Sequence, residues 1–387
     1  MKFTGNQRKL YLLALTLLVV AIALACTWTL WEEPSGETSL PGGTPTVAPS
    51  EAPDGTVEPG LTFAPDASAA PDASPAAAAG PTLSAGSTLS TGTVNTVVYY
   101  QDNYGYLVPV MLKVPAEQGI AKATLSMMIK STTNDMQAAR LGLRTVLPEN
   151  VSIDLDITNG LARIDLGKEV LSLADAAAET NMVTAVVQTL TEFPTVERVE
   201  FLIGGQEMKS LKHGTDVSKQ FTRADLNPEL ASSTLSVADA KPVTLYFPGD
   251  SGSVLVPVTR MVYSKPDINT AVLELTKGPS AASPLEEVLP PGCGLIDVVV
   301  VDGVAKLNFT NEFIKLAENS DGGRLALRAL VLTCTQFEGV EKVDILIDGE
   351  PYDPGQNTLA MPACANIAED IIYDHIQSQS AMIFNFE

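Results

Sequence analysis

The sequence predicts an α+β fold: two tandem copies of a β-β-α-β-β-α-β unit, each a small, mostly antiparallel sheet covered by two helices, behind an N-terminal membrane anchor and a disordered linker. Three observations predict it. First, the landmarks of residues 289–349 recur 142–144 positions earlier: Leu147-Pro148 answers Leu289-Pro290, Asn159-Gly160 answers Asp302-Gly303, and VERVEFLIGG answers VEKVDILIDG. Second, the tetrapeptide LVPV stands at 107–110 and again at 255–258. Third, within each copy the apolar spacing switches between period two and period 3.6, the signatures of strand and helix. Two copies make a duplication; a solenoid needs about three stacked repeats to bury its ends. At 387 residues the chain has room for two such domains plus accessory segments.

In chain order, residues 1–31 read as an export element. Lys2, Arg8 and Lys9 precede the apolar run LYLLALTLLVVAIALACTWTLW, and basic residues ahead of such a run hold that end in the cytoplasm, so the rest is expected outside. Two modes of anchoring stay open. Ala23-Leu24-Ala25-Cys26 is similar to a bacterial lipobox, which makes Cys26 the lipidation candidate, although an aliphatic residue usually stands where Ala23 does and a smaller one where Leu24 does. The other mode is an uncleaved transmembrane helix from Leu10 to Trp31, long enough at 1.5 Å per residue to cross a hydrocarbon core ~30 Å thick. Trp28 and Trp31, the only two tryptophans, fall where an interfacial aromatic belt would sit.

Residues 32–95 are Pro, Ala, Ser, Thr and Gly with eight acids. Such a composition cannot bury enough apolar surface to offset its ordering entropy; as a flexible coil it would span ~45 Å. Its expected role is reach.

The first copy is expected at 96–211. TVVYYQ and GYLVPVMLKV, separated by Asp102, Asn103 and Gly105, read as a hairpin, and a helix follows from about Ile120. In VSIDLDI, Val151, Ile153, Leu155 and Ile157 alternate with polar residues, a half-buried strand. Asn159-Gly160 then offers the two positive-φ positions of a type I′ turn. The second helix carries Met182, Val183, Val186, Val187, Leu190 and Phe193 on one stripe; 144 positions later stand Ala326, Leu327, Leu330, Val331, Cys334 and Phe337, all apolar. A closing strand alternates Val199, Phe201 and Ile203 in one copy and Val343, Ile345 and Ile347 in the other. Residues 212–242, with Asn227-Pro228 and a Ser-Ser-Thr run, read as an interdomain linker. The second copy spans 243–353, and 354–387 form a C-terminal tail of illegible purpose.

With these landmarks placed, the second copy resembles the sporulation and spore germination domain called GerMN. The resemblance rests on LELTKGPS at 273–280, the strand entry VLPPGC, VDGVAKLNF at 301–309 and the VDILIDG strand. The first copy is similar but reads KSTTND where the family has Gly-Pro. The resemblance covers about 95–351 and includes no catalytic signature. It implies membrane-tethered proteins on the outer face, in spore formers between mother cell and forespore, whose domains are similar to ring-building motifs and help assemble a transenvelope complex.

The charge excludes nucleic acid as a partner: the net value is −22 and no Lys or Arg stands between Lys9 and Lys113, whereas phosphate binding needs clustered bases. GDSGS at 249–253 has the serine-protease nucleophile pattern, yet Ser251 has only His213 upstream as a base and no orienting carboxylate in the usual order; it reads as a hairpin loop. DLDITNG at 154–160 has the look of a calcium loop, but Asn159 stands at the sharp-turn position and Asp165 at the twelfth, so its carboxylates read as a solvated strand face. His213 and His375 lack zinc spacing. Cys334 reads as core, and Cys293 and Cys364 as a candidate disulfide of undecidable connectivity. The sequence thus predicts no cofactor, metal site or enzyme. It predicts an anchored scaffold of the envelope whose partners are the membrane and other envelope or sporulation-complex proteins, with homo- or hetero-oligomers open; the alternative is an accessory module binding cell-wall glycan or a wall hydrolase.

Overall fold

A computed structural model describes residues 92–116, 119–229, 240–318, 320–353 and 359–373. The expected anchor, with Cys26 and both tryptophans, nearly all of the linker, and His375 lie outside the described residues. Among the described residues no helix is long and apolar enough to cross a membrane.

In the first copy, β1 (Thr93–Gln101) and β2 (Leu107–Pro115) form the expected antiparallel hairpin. Helix α1 (Ile120–Ser126) and a second short helix, α2 (Thr132–Ala139), follow. The sequence analysis missed α2. Its start is Ser131 in the KSTTND stretch, whose side chain accepts from the Asn134 amide at 3.2 Å, an N-cap that satisfies one of the free amides of a helix start. Then come β3 (Ile153–Thr158), β4 (Leu161–Leu166), a 3₁₀ turn (Lys168–Ser172), α3 (Ala176–Leu190) and β5 (Arg198–Ile203).

The second copy repeats the order: β6 (Lys241–Pro248), β7 (Leu255–Val262), α4 (Ile268–Thr276), β8 (Leu295–Val301), β9 (Val304–Phe309), a 3₁₀ segment (Asn311–Glu318), α5 (Ser320–Thr335) and β10 (Lys342–Ile347), with β11 (Glu350–Tyr352) and β12 (Leu359–Ala360) added against β10. The registers agree between copies: Leu161 pairs with Arg198 as Val304 pairs with Lys342, both in parallel. Asn159-Gly160 has φ values of 52° and 76°, and Asp302-Gly303 50° and 76°, the left-handed pair a type I′ turn requires.

The expected single sheet per copy is instead two. Each copy has a two-stranded hairpin and a separate mixed sheet, ordered β3-β4-β5 in the first copy and β11-β10-β9-β8 in the second. The hairpins explain the division. Val97 to Tyr100 are buried at consecutive positions, as are Leu107 to Leu112. Alternate side chains of a strand point to opposite faces, so consecutive burial means that both faces are covered. The helix stripe is as expected: Met182, Val186 and Leu190 are buried, as are Ala326, Leu330 and Cys334, while Phe193 and Phe337 are half-buried.

The outer edge strands of the two mixed sheets differ. β3 exposes Asp154 and Asp156. β8 exposes Ile296, Val299, Val300 and Val301, each about half accessible (51, 49, 45 and 46%).

Candidate functional site

The two hairpins meet, and the segments that trail the two copies are threaded between them. Leu226 to Glu229 runs along β7: the Thr259 amide donates to the Leu226 carbonyl at 3.1 Å, and the Glu229 amide donates to the Thr259 carbonyl at 2.9 Å. Asn366 and Ile367 run along β2, where the Met111 amide donates to the Asn366 carbonyl at 2.8 Å. Each copy's trailing segment thus pairs with the other copy's hairpin.

Two asparagines fasten the crossing. Asn227 Oδ1 accepts from the Leu107 amide at 2.9 Å, and its Nδ2 donates to the carbonyls of Leu107 at 2.8 Å and Pro257 at 2.7 Å. Asn366 Oδ1 accepts from the Leu255 amide at 2.7 Å, and its Nδ2 donates to Leu255 at 2.8 Å and Pro109 at 2.9 Å. The second set is the first with the copies exchanged, so a local two-fold relation runs through the pair of LVPV segments. Pro109 and Pro257 have no amide to offer a ladder, and their carbonyls accept from the asparagine side chains. Arg260 locks the first trailing segment further: Nε and Nη2 bind the two oxygens of Glu229 at 2.7 and 3.0 Å, and Nη1 binds the Glu274 carbonyl at 2.9 Å. Such a forked pair is the stronger kind of ion pair.

On the same two-fold relation lies a cavity of about 80 Å³. Tyr99 and Tyr246, which face Pro109 and Pro257 in their hairpins, both line it, together with Glu192, Arg223 and Cys364. Tyr99 donates to Glu192 Oε1 at 2.8 Å, and Arg223 Nη2 donates to Tyr99 Oη at 2.9 Å and to Glu192 Oε1 at 2.7 Å. Burial, and then the Glu192 carboxylate, push the Tyr99 phenol well above its ordinary range. Burial alone would lower the Arg223 guanidinium, but Tyr99 and Glu192 outweigh it and hold the group above its usual value. Burial, followed by Cys364, raises the Tyr246 phenol. Glu192's counterpart in the second copy is Gln336, which turns away to bind Thr244, accepting from its amide at 2.9 Å and donating to its carbonyl at 2.7 Å. The Tyr246 hydroxyl, in a residue only 8% exposed, therefore has no hydrogen-bond partner among the described residues.

The chemical motifs of the sequence fall elsewhere. Ser251 is exposed in the turn between β6 and β7. His213 lies against α3, its ring nitrogen on the Leu173 carbonyl at 2.9 Å and its amide donating to Glu179 at 2.8 Å. Among the described residues the Ser251 hydroxyl accepts from the Ser253 amide at 3.4 Å, and His213 is bonded elsewhere. Asp154 and Asp156 are solvent-exposed on β3, as a solvated face should be. Cys293, Cys334 and Cys364 are free and buried. The candidate disulfide between Cys293 and Cys364 is not formed: Cys364 is enclosed at the junction, its thiol 4.0 Å from the Pro109 carbonyl, while Cys293 stands at the entry to β8. Sequence reasoning missed the asparagines, the Glu192–Arg223 pair and Glu179, a fully buried carboxylate on α3 that also accepts from the Thr215 amide at 3.3 Å.

Residues 97–209 and 244–353 each match the Germane family, described as "Sporulation and spore germination". The chain belongs to this family. It is 28% identical over 268 residues to the spore germination protein GerM of Bacillus subtilis, covering 67% of this chain and 72% of GerM. The solved tandem GerMN domains of the sporulation protein GerM from Bacillus subtilis superpose on 71% of the chain, covering 99% of that structure, with a TM-score of 0.59 and 27% identity. Both Germane units begin inside the hairpin's first strand, and the first ends within the 204–217 loop region that Glu179 anchors. The trailing segments with Asn227 and Asn366 lie outside the matched ranges.

Proposed function

We propose that this sporulation- or germination-related protein is a non-enzymatic scaffold, held on the extracytoplasmic side of the membrane by its N-terminal segment, and that it works by packing its tandem domains against other envelope proteins. The observation that supports this is the β8 edge. An unpaired edge strand presents a row of free amides and carbonyls, and proteins normally guard such edges with charge. β3 follows that rule with Asp154 and Asp156; β8 keeps a single exposed acid, Asp297, and beyond it exposes Ile296 and three consecutive valines on both faces. The partner that fits is an extended segment of another envelope protein, added antiparallel to β8 so that main-chain hydrogen bonds supply affinity and the valines supply apolar contact.

Val299→Lys with Val301→Lys tests it. Both residues flank β9 on the face of Lys306 and are already solvated, so folding should change by no more than about 0.5 kcal/mol. In crosslinked membranes from sporulating cells the full-length variant should lose the proteins that co-purify with the parent. Unchanged co-purification would overturn the reading, and recovery of both proteins with cell-wall sacculi alone would favour the alternative of a glycan- or hydrolase-binding accessory module.

A further inference from the structure

The β8 edge is complementary to itself. Its regular part is short and bounded: a bulge between Leu295 and Asp297 ends it on one side and the Asp302-Gly303 turn on the other, which leaves Asp297 to Val301 with Val299 at the centre. Residues that flank a two-residue turn exchange hydrogen bonds with each other, and along an antiparallel pair bonded and non-bonded positions alternate. Val301 and Val299 therefore spend their main-chain groups on Val304 and Lys306, and Val298 and Val300 turn theirs outward.

A second β8, laid antiparallel across a two-fold axis at Val299, meets those groups in kind. Val298 of one molecule faces Val300 of the other, and the reverse, so each pair exchanges two N–H···O=C bonds and all four outward groups of each strand are used. The two Val299 residues meet on the axis as a non-bonded pair. The side chains agree with the main chain. Val300 stands on the face of Ala305, which is fully buried, yet is itself 45% exposed; the helix layer stops short of this edge and leaves room for the twin's Val298. On the outer face Asp297, the one charge on the run, falls opposite Val301 and not opposite itself. Lys306, exposed beside Val299, sets a cation diagonal to it. Two Asp297 and two Lys306 make the seam neutral on a chain whose net charge is −22.

β3 shows the opposite design. Asp156 pairs with Arg163 where Val299 pairs with Lys306, so it is the first-copy counterpart of Val299. The same two-fold axis in β3 would set Asp156 against Asp156, and like charges directly opposite are destabilising.

We infer that two molecules of this protein pair through β8, antiparallel about an axis at Val299, and so join their two β8 sheets into one. The inference rests on β8 being the working edge, and the extended segment of an envelope partner competes for the same groups.

Disulfide trapping of the full chain in detergent micelles, with diamide as oxidant, tests it. Across a non-bonded antiparallel pair the Cα atoms lie about 4.5 Å apart, within disulfide reach, whereas the two Val301 residues lie about 14 Å apart. Val299→Cys should form a dimer whose linked peptides both carry position 299, at least about tenfold faster than Val301→Cys dimerises. Mixing Val301→Cys with Asp297→Cys should link position 297 of one molecule to 301 of the other. The parent, in which Cys293, Cys334 and Cys364 are buried, gives the background, and unchanged melting temperatures confirm that the variants are folded. Equal rates for Val299→Cys and Val301→Cys, a link from 301 to 301, or no dimer above the parent's would each overturn the inference. Failure of trapping while Val299→Lys with Val301→Lys still strips the co-purifying proteins removes the second molecule and keeps the envelope partner. Trapping at 299 with co-purification unchanged keeps the pair and removes that partner.

Discussion

Replacing Asn366 by Ala should separate a fastened junction from two domains that merely touch. Asn366 is 1% exposed and makes three side-chain hydrogen bonds, at 2.7, 2.8 and 2.9 Å, to the Leu255 amide, the Leu255 carbonyl and the Pro109 carbonyl. A net hydrogen bond contributes ~1 kcal/mol, and a buried group left without a partner costs ~1–3 kcal/mol. Water reaching the vacated space would satisfy part of the loss, so the expected destabilisation is about 3–4 kcal/mol, toward the upper end for a single substitution. For a unit of this size 1 kcal/mol corresponds to about 2–4 °C, which places the fall in Tm near 10 °C. Denaturant unfolding of the full chain followed by far-UV circular dichroism gives the free energy directly. Asn227→Ala, at a half-buried position with the same bonding pattern, should cost less. A loss below about 1 kcal/mol for Asn366→Ala, or a larger loss for Asn227→Ala, would refute the reasoning.

Gly142 has φ of +73°, and a Cβ there would come within 2.7 Å of the Ser251 Cβ; Gly142→Ala should therefore cost about 2 kcal/mol, and adding Ser251→Gly should recover the steric part, both read by denaturant unfolding. The Cys364 thiol is pushed up to about 11 by burial, so it stays protonated in the fold while the unfolded chain ionises near 9. The unfolded state then binds fewer protons, so this thiol's contribution, fully present below pH 9, should fall by roughly 2–3 kcal/mol as pH rises from 9 to 11; Cys364→Ala should remove that share of the slope and leave the shares of Cys293 and Cys334, which burial also raises. Iodoacetamide at pH 8, with peptide mass spectrometry, should leave Cys293, Cys334 and Cys364 unlabelled until denaturant is added, because the thiolate is the nucleophile. Cys26→Ala should abolish incorporation of labelled palmitate and release the chain from membranes if the lipid is the anchor, whereas a spanning helix would keep it in the membrane fraction.

Much of the fold is legible in the residues because it depends on local patterns. The Asn159-Gly160 and Asp302-Gly303 turns need positive φ at both positions, and few residue pairs supply it. The six-position stripe of α3 and α5 repeats at one offset because both helices cover the same kind of sheet. Division of the strands into a hairpin and a mixed sheet was not legible, since VVYY and LVPVML read as strand whichever neighbours they have. The junction was less so. Asn227, before a proline in a polar stretch, carries every signal of a turn, and Asn366 sits in a tail with no internal period. The resemblance between their surroundings is one residue long, too short to stand out. Glu192 and Arg223 are ordinary charged residues until the hairpins meet around them.

The crossing of the trailing segments has a consequence for a unit cut free of the chain. Each copy carries both halves of the clasp, a proline-interrupted edge and an asparagine that follows it; the asparagine grips the leucine of its own hairpin, but its remaining Nδ2 bond and the main chain beside it need the other copy's hairpin. A liberated domain that keeps its following segment should seek a second of its kind and form a symmetric homodimer with the same four strands at its centre. The tandem chain is then equivalent to that dimer with its subunits joined, its affinity replaced by a tether and its symmetry free to drift, as the change from Glu192 to Gln336 already illustrates.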